Sequence, residues 1–412
     1  MTDNTEHKMA AKPKSSFSTF VIVMTIFIDA IGYGIIIPLL PFYTQTFQVG
    51  STALGILVAS FSIMQFFFSP MLGRLSDNIG RKPVLLISIL VSTLSYVIFG
   101  FANSFLLLLL SRIIAGIATE TAVAQAYIAD ITSEKDRASG IGKVAAARGA
   151  GFIIGPAIGG FLSVYGFGVP GFAAALLTLV NLLFVLFFLP ESNRNSQLSK
   201  TAKPNSQKSS KNRMLDALKK PVIGSVLVIH FVVFLAFSAV PVIVPLLAIA
   251  YFAWESTELS YLFIYIGVVQ ILLQSFVIGR LTRKLSEEPL IVLGPVLLIA
   301  GLALMPLIPN VVAFFAAMTM IASGSGIMRT VVPSFLSRLT PVDEQGGILG
   351  IASSVLSIAT VPGPLIGGFL FEVAGVTAAF FGSSAILAVG LAFSFRVIRN
   401  YQRLNGKTYG NA

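Results

Sequence analysis

Twelve long apolar runs govern what this chain can fold into. A helix that crosses the hydrocarbon of a bilayer needs about 20 mostly apolar residues. Such runs lie at about 17–41, 51–73, 83–102, 105–129, 138–164, 169–189, 221–250, 257–280, 289–308, 311–336, 346–371 and 376–396. In lipid every backbone N–H and C=O must find its partner inside the protein, so these runs are read as helices. Their unbroken hydrophobicity excludes a transmembrane barrel, whose strands alternate. Only 11% of the residues are charged, against about 25% in a soluble domain, so most of the surface faces something other than water. The expected fold class is an all-α polytopic membrane protein.

The placement of charge orients it. Lys and Arg fall in the N-terminal tail, after span 2 (Arg74, Arg81, Lys82), after span 4 (Lys135, Arg137), through 194–220, after span 8 (Arg280, Arg283, Lys284) and in the C-terminal tail (Arg396, Arg399, Arg403, Lys407). The opposite loops hold no Lys or Arg, only acids such as Glu255 and Glu258. By the positive-inside rule both termini are cytoplasmic, in a multi-pass protein of the cell (plasma or inner) membrane. The net charge of +11 is thereby explained without nucleic acid. Positive charge at the inner surface also meets anionic membrane lipids favourably. The run after residue 16 is too long for a signal-peptide core and lacks a cleavage site, so it reads as the first span.

Composition removes several chemistries. There is no cysteine and there are two histidines, His7 and His230, which argues against a metal or haem site. No phosphate-binding loop of the G-x-x-x-x-G-K-[ST] type occurs, so ATP is not the direct energy source. No nucleophile, base and orienting group fall at recognisable spacing. The chain is therefore expected not to be an enzyme, with no catalytic residue, no cofactor and no metal.

The chain divides in two. Residues 191–220 form the one long polar connection, rich in Ser, Asn and Lys, which suits a linker. Lys211–Lys220 reads either as a short amphipathic helix on the membrane surface or as disordered linker. Around this linker the sequence repeats. GPAIGGFL at Gly155–Leu162 returns as GPLIGGFL at Gly363–Leu370, LGRL at Leu72–Leu75 as IGRL at Ile278–Leu281, and IPLL at Ile37–Leu40 as VPLL at Val244–Leu247, at offsets of 208, 206 and 207. Three matches at nearly one spacing predict an N-terminal six-helix bundle (1–190), a cytoplasmic linker (191–220) and a C-terminal six-helix bundle (221–412). The two bundles are related by an axis along the membrane normal, with the substrate path between them.

Several motifs carry a resemblance. The loop after span 2 reads Gly73-Arg-Leu-Ser-Asp77-Asn-Ile-Gly80-Arg81-Lys82-Pro83 and resembles the loop signature of the major facilitator superfamily, G-x-x-x-D-x-x-G-R-K. Arg112-Ile-Ile-Ala-Gly116 resembles that family's second motif. Gly151-Phe-Ile-Ile-Gly155-Pro156-Ala-Ile-Gly159-Gly160 resembles the third, characteristic of its proton-coupled antiporters. Span 1, from Asp29 to Pro41, resembles the twelve-span drug/proton antiporter branch. Ala126-Tyr-Ile-Ala-Asp130-Ile-Thr is similar to tetracycline exporters. The resemblance implies a major facilitator fold of twelve transmembrane helices in two six-helix bundles. It further implies a cytoplasmic gate in which Asp77, Arg81 and Asp130 form a charge cluster latching the halves in the outward-facing state. Gly73, Gly80 and Lys82 belong to the same loop, and Asn78 replaces the base common after the acid. In the second half the loop charges are reversed, with Arg283, Glu287 and Glu288 aligned on Asp77, Arg81 and Lys82, which predicts a degenerate copy that no longer makes the same contacts.

Six ionisable residues fall deep inside spans: Asp29, Arg112, Glu120, Arg148, His230 and Arg329. Charges in hydrocarbon are costly and usually face a cavity or one another. At 1.5 Å per residue, Asp29 lies about 18 Å from the start of span 1, and Glu120 and Arg148 each about 15 Å from the cytoplasmic ends of spans 4 and 5. All three are near the midplane, where transporter sites are expected. Asp29, Arg112, Glu120 and Arg148 are the candidates for proton coupling and the substrate cavity. Two roles stay open for Asp29: proton exchange or contact with a cationic group, against packing on Arg112. Two stay open for Glu120: proton carrier, or fixed partner of Arg148. Lone His230 reads as packing. Tyr33, Phe61, Phe66 and Phe237 are candidate aromatic walls.

These readings converge on a cargo carrier rather than a catalyst: a proton-coupled exporter of small amphipathic molecules such as drugs or antibiotics. It works by alternating access as a monomer, its partners being the small-molecule substrate, protons and membrane lipids. A lipid flippase or a sugar or metabolite carrier of the same fold is the alternative, and a non-transporting sensor or scaffold a remote one.

Overall fold

The computed structural model describes residues 15–192, 216–278, 280–281, 286–307, 310–341 and 344–409. Among these, every regular element is helical. Ten helices long and apolar enough to cross a bilayer are α1 (Ser16–Thr46), α2 (Ser51–Ile79), α3 (Arg81–Gly100), α4 (Phe105–Ile131), α5 (Ser139–Ser163), α6 (Gly168–Phe188), α7 (Pro221–Phe252), α8 (Ser256–Ile278), α9 (Glu287–Leu307) and α10 (Val311–Arg338). An eleventh apolar stretch, Gln345–Tyr401, has 57 residues, about 85 Å of helix against about 30 Å of hydrocarbon. It breaks at Gly375, whose φ of +80° lies where only glycine sits without strain. The stretch therefore makes two crossings, α11 (345–374) and α12 (376–401), and the twelve predicted spans are present. Most of the 191–220 linker, including 211–215 of the proposed surface helix, lies outside the described residues; Asp216–Lys219 are helical.

Each half has its own core. One large apolar cluster runs from Ala217 to Val397 and includes Phe234, Phe314, Phe335 and Phe380. Val21, Ile22, Val84, Tyr127 and Val185 centre a cluster drawn wholly from the first half. A third, around Ile35, Leu54 and Phe99, takes in Val242, Leu246 and Phe263 from the second half and so crosses the seam. Large apolar side chains such as Leu106, Phe187 and Val312 point outward, as a lipid-facing surface requires.

The halves meet at one end only. There α5 packs against α8 and α2 against α11. Gly160 lies against Ser260 and Gly368 against Gly55. Ser163 and Ser256 share a hydroxyl hydrogen bond of 2.7 Å, and the backbone N–H of Thr52 donates to Glu372 Oε2 at 2.7 Å. Towards the end that carries Arg74, Arg81 and Lys82, the same helices part. A Cβ built on Gly142 or Gly149 of α5, or on Gly346, Gly347 or Gly350 of α11, would meet nothing within 4 Å. The space between the bundles thus opens toward the basic end.

Several spans are interrupted. In α1 a 3-10 turn, Ile37–Leu39, surrounds Pro38. In α7 the regular helix stops at Phe237 and resumes at Val240, with Pro241 in its first turn, where the missing N–H costs nothing. In α4 the helix Phe105–Ile117 ends, Ala118 (ψ 80°) and Thr119 (φ −111°, ψ 103°) are extended, and a second helix begins at Glu120. The sequence predicts a continuous span there. The correction matters, because the break lies at the depth of the ionisable residues.

Candidate functional site

Between the bundles is a cavity of about 420 Å³. Its wall is mostly apolar, with its charges carried by Asp29, Glu120 and Arg148 from the first half and Arg329 from the second. Tyr33 anchors an aromatic patch, 4.9 Å from the Phe61 ring and 6.0 Å from Phe152. Phe237 faces it from α7. Phe66 instead packs on Phe67 at 5.2 Å and is not part of the wall.

Two carboxyls lie side by side here. The break in α4 makes Glu120 the first residue of a helix, where unsatisfied N–H groups favour negative charge. Ser92 Oγ on α3 donates to Glu120 Oε1 at 2.9 Å. The Asp29 carboxyl, on α1, adjoins the Glu120 carboxyl, and two adjoining carboxylates resist full ionisation. Arg148 on α5 donates from Nη1 to Thr121 Oγ1 at 3.1 Å, and its charge acts on Asp29. The fixed Glu120–Arg148 pair weighed from the sequence is therefore not the contact made. The break turns Thr121 toward Arg148 and Glu120 toward Asp29 and Ser92.

Arg112 is not the partner of Asp29 either. Its side chain is 1% exposed, its guanidinium carbon stands 5.7 Å over the Phe99 ring, and its Nε and Nη2 have no hydrogen-bond partner. It lies behind the cavity wall. His230 is likewise buried, 4.8 Å from the Phe234 ring.

At the basic end the expected charge cluster assembles. Arg81 Nη1 lies 2.6 Å from Asp77 Oδ1, and its Nε lies 2.9 Å from Asp130 Oδ2. Glu191 extends it, accepting the backbone N–H of Arg81 at 2.9 Å and of Lys82 at 3.0 Å, which caps the first turn of α3 after Gly80 (φ +105°). The cluster ties α2, α3, α4 and the chain after α6 together within the first half. Lys82 Nζ donates to the Leu186 carbonyl at 2.8 Å, and a Cβ on Gly73 would meet nothing.

The second half carries a counterpart with its own ion pairs, contrary to the degenerate copy expected. Arg338 Nη2, at the end of α10, lies 2.9 Å from Glu287 Oε2 and 3.2 Å from Glu288 Oε1 at the start of α9. These positions correspond, through the repeat, to Asp130, Arg81 and Lys82. The contact is kept with both signs inverted. Arg283 lies outside the described residues.

The glycines of α5 lie on α1. A Cβ on Gly151 would come within 2.7 Å of Ala30 Cβ, and one on Gly155 within 2.8 Å of Gly34 Cα. Pro156 and Gly159 continue the seam past Gly34 and Ile35. Gly160 faces the other way, onto α8.

The Major Facilitator Superfamily model matches residues 22–247 and again 226–409, one copy over each half. The chain belongs to the major facilitator superfamily. It is similar to the class C tetracycline resistance protein of Escherichia coli, 32% identical over 86% of this chain and 89% of that one. It is also similar to multidrug resistance protein 2 of Bacillus subtilis, 29% identical over 91% of this chain and 94% of that one. Among solved structures it resembles an inward-facing bacterial homologue of the lysosomal transporter Spinster (TM-score 0.72, 16% identity, 95% of this chain and 98% of that one). The nucleoside transporter NupG is similar too (TM-score 0.73, 13% identity, 93% and 99%). These two likenesses concern the fold. Membership of this superfamily makes the chain a multi-pass small-molecule transporter rather than an enzyme.

Sequence reasoning missed Ser92, Thr121 and Glu191. The first had a signal: Ser88, Ser92, Ser95 and Tyr96 recur at helical spacing within an apolar span, a polar stripe that must face inward. Thr121 and Glu191 had none, since each owes its role to a neighbouring helix end.

Proposed function

We propose that this transporter is a proton-coupled exporter of small amphipathic molecules, in the manner of multidrug or tetracycline efflux. Support comes above all from one juxtaposition: a protonatable carboxyl pair, Asp29 and Glu120, beside an aromatic wall in the same midplane cavity. The similarity to resistance proteins points the same way. Both termini are taken as cytoplasmic, in the plasma or inner membrane, so the opening of the cavity toward the basic end is an opening to the cytoplasm.

Cargo enters from that side and lies against Tyr33, Phe61 and Phe152. Its arrival between Asp29 and Glu120 displaces the proton they share, with Ser92 and the α4 helix end holding Glu120 as an anion. The bundles 1–190 and 221–412 then rock about the seam. The outer contacts of α2 with α11 and of α5 with α8 part. The Asp77–Arg81–Asp130 cluster at Gly73–Lys82, here joined within the first half, meets the second half only when the cytoplasmic side closes and then latches that state, while the antiporter glycines Gly151, Gly155 and Gly159 keep α1 and α5 moving as one body. Cargo leaves outward and an external proton returns to the pair. The protein acts as a monomer among membrane lipids.

The test is a proton-release screen on purified protein in liposomes. Addition of aromatic amphiphiles, tetracycline among them, should release protons, and an imposed pH gradient should drive their accumulation. Accumulation that persists without a pH gradient, or in an Asp29→Asn, Glu120→Gln double variant, would remove proton coupling.

A further inference from the structure

Asp29, Glu120 and Arg148 lie together on the first-half wall of the cavity, where the charge of Arg148 acts on Asp29. Arg329, on α10, stands by itself on the second-half wall. It is the charged residue of the second-half wall, whose other members run from Phe237 to Ala322 and are apolar or, as with Gln270, uncharged. Among the described residues Arg329 has no ion pair and donates no hydrogen bond. Its guanidinium carbon lies 5.3 Å over the Phe234 ring, and the charge acting on it is that of Arg148, of the same sign. The side chain is exposed to the cavity.

Stacking on a ring uses one face of a guanidinium. Its edge, with five N–H donors in a fixed fork, stays free and suits a planar two-oxygen anion. By the rise of α10, Arg329 lies about 14 Å from the basic end of that helix. It is therefore well below the surface, where unpaired charges are disfavoured and counter-ions are sought. None of the described residues supplies a counter-ion. Across the cavity the Tyr33–Phe61–Phe152 patch supplies a flat apolar wall, so a molecule spanning the two presents an acidic group to one side and an aromatic body to the other.

We infer that Arg329 is the anchor for an anionic group on the cargo, so that the transported class includes organic acids with an aromatic body, zwitterions among them, rather than simple lipophilic cations. This rests on the reading of the cavity as the cargo site. Gln270, on the same half of the wall, adds an uncharged amide to that side of the cavity. The second-half cation then selects cargo, while the first-half acids handle the proton.

The experiment compares two probes of one shape. Anthracene-9-carboxylate and its neutral methyl ester are titrated into full-length protein in nanodiscs, with binding followed by fluorescence polarisation at constant salt. The wild-type protein should bind the carboxylate about ten-fold or more tightly than the ester, the discrimination of a charge-assisted hydrogen-bonded pair. Arg329→Gln should bring the ratio close to one, and Arg329→Lys should keep part of it, because the charge survives while the fork is lost. Size-exclusion profiles establish that the variants are folded, and the lysine variant carries the test if the glutamine one is not. Equal binding of both probes, or a ratio that survives in Arg329→Gln, overturns the role of Arg329 and leaves the cargo cavity standing. Failure of both probes to bind overturns the cavity as a site for aromatic cargo and the anchor with it. Loss of carboxylate binding to competing chloride or phosphate at equal strength in all three proteins would show a screening effect, and would overturn the anchor.

Discussion

Two adjacent glycines on α5 should separate folding from gating. Gly159 faces α1 inside the first bundle: a Cβ there would lie 3.1 Å from Ile35 Cα. Gly160 faces α8 across the seam: a Cβ there would lie 2.5 Å from Ser260 Cβ. Carbon atoms in ordinary contact are about 3.5–4.0 Å apart. An alanine at either position gains the same helix propensity, about 1 kcal/mol, so this gain cancels in the comparison. Overpacking costs about 1–3 kcal/mol. At Gly159 that cost is present whichever way the transporter faces, so Gly159→Ala lowers stability without changing the balance of states. At Gly160 the cost is present only while the outer seam is closed. Gly160→Ala should therefore shift the population toward outward-open forms by about 5- to 150-fold. The absence of native cysteine allows Val244→Cys, in the cavity wall, to report access. An impermeant maleimide applied from outside should label it faster in the Gly160→Ala background and at the parental rate in the Gly159→Ala background. Equal labelling in the two backgrounds, or a slower rate with Gly160→Ala, would refute the assignment of the two faces.

Glu372→Gln removes the charged cap on the first turn of α2, held in the closed outer seam through Thr52, and should raise outside labelling of Val244→Cys a few-fold; an unchanged rate would show that the contact does not report the gate. Glu120→Gln should fold normally, since an amide oxygen still accepts from Ser92, yet release no protons on cargo addition. In a double-mutant cycle with Arg148→Gln, stability effects should add within about 0.5 kcal/mol, because the two side chains are not paired; a large coupling energy would restore the ion pair that the geometry denies. Asp77→Asn should slow turnover and enrich inward-facing forms while leaving expression intact, and unchanged access from both sides would confine the cluster to a topological role. Cysteines at 103 and 310 should label from outside in intact cells and one at 200 only after permeabilisation; outside labelling at 200 would invert the topology.

The spans were legible because hydrophobicity is a property of composition along the chain, and lipid leaves helices as the solution. The repeat was legible because GPAIGGFL and GPLIGGFL preserve a packing surface residue by residue. The Asp77–Arg81–Asp130 cluster was legible through motif resemblance. The partners of Glu120 were not, and the reason is geometric. A rise of 1.5 Å per residue gives depth, and it placed Asp29, Glu120 and Arg148 at one level, where all three line the cavity. Which way a side chain points depends on a rotation of about 100° per residue, and the break at Ala118–Thr119 interrupts that rotation. The break has no proline to announce it. Residues Gly116-Ile-Ala-Thr119 read as helix, and only the packed structure shows Gly116 pressed against Phe61 and the next helix starting afresh at Glu120. Glu191 escaped notice because a carboxylate after a span looks like any interfacial charge until a helix start is found beneath it.

The repeat shows which parts of the two halves share a task. Gly159 and Gly160 correspond to Gly367 and Gly368, and the division of faces is the same. Gly367 lies against Ala239 and Ile243 within its own bundle, and Gly368 against Gly55 across the seam. The Arg81–Asp130 contact corresponds to Glu287–Arg338, with inverted signs and the same pair of helix ends joined. Packing and bracing are thus kept in both halves, as they must be if two bundles are to close on a common seam. The cavity charges are not kept. Applying the offsets of 207 and 208 places Ala236 opposite Asp29, Met328 opposite Glu120, Leu356 opposite Arg148 and Met320 opposite Arg112. Arg329 in turn corresponds to Thr121, the hydroxyl that receives Arg148. No ionisable residue of the cavity has an ionisable counterpart. A cavity built symmetrically would place like charges face to face across its middle, at a cost that rises as water is excluded. Divergence at these positions puts the cavity's acids on one half and, on the other, a cation without an ion pair among the described residues, on a scaffold whose packing and bracing stay matched.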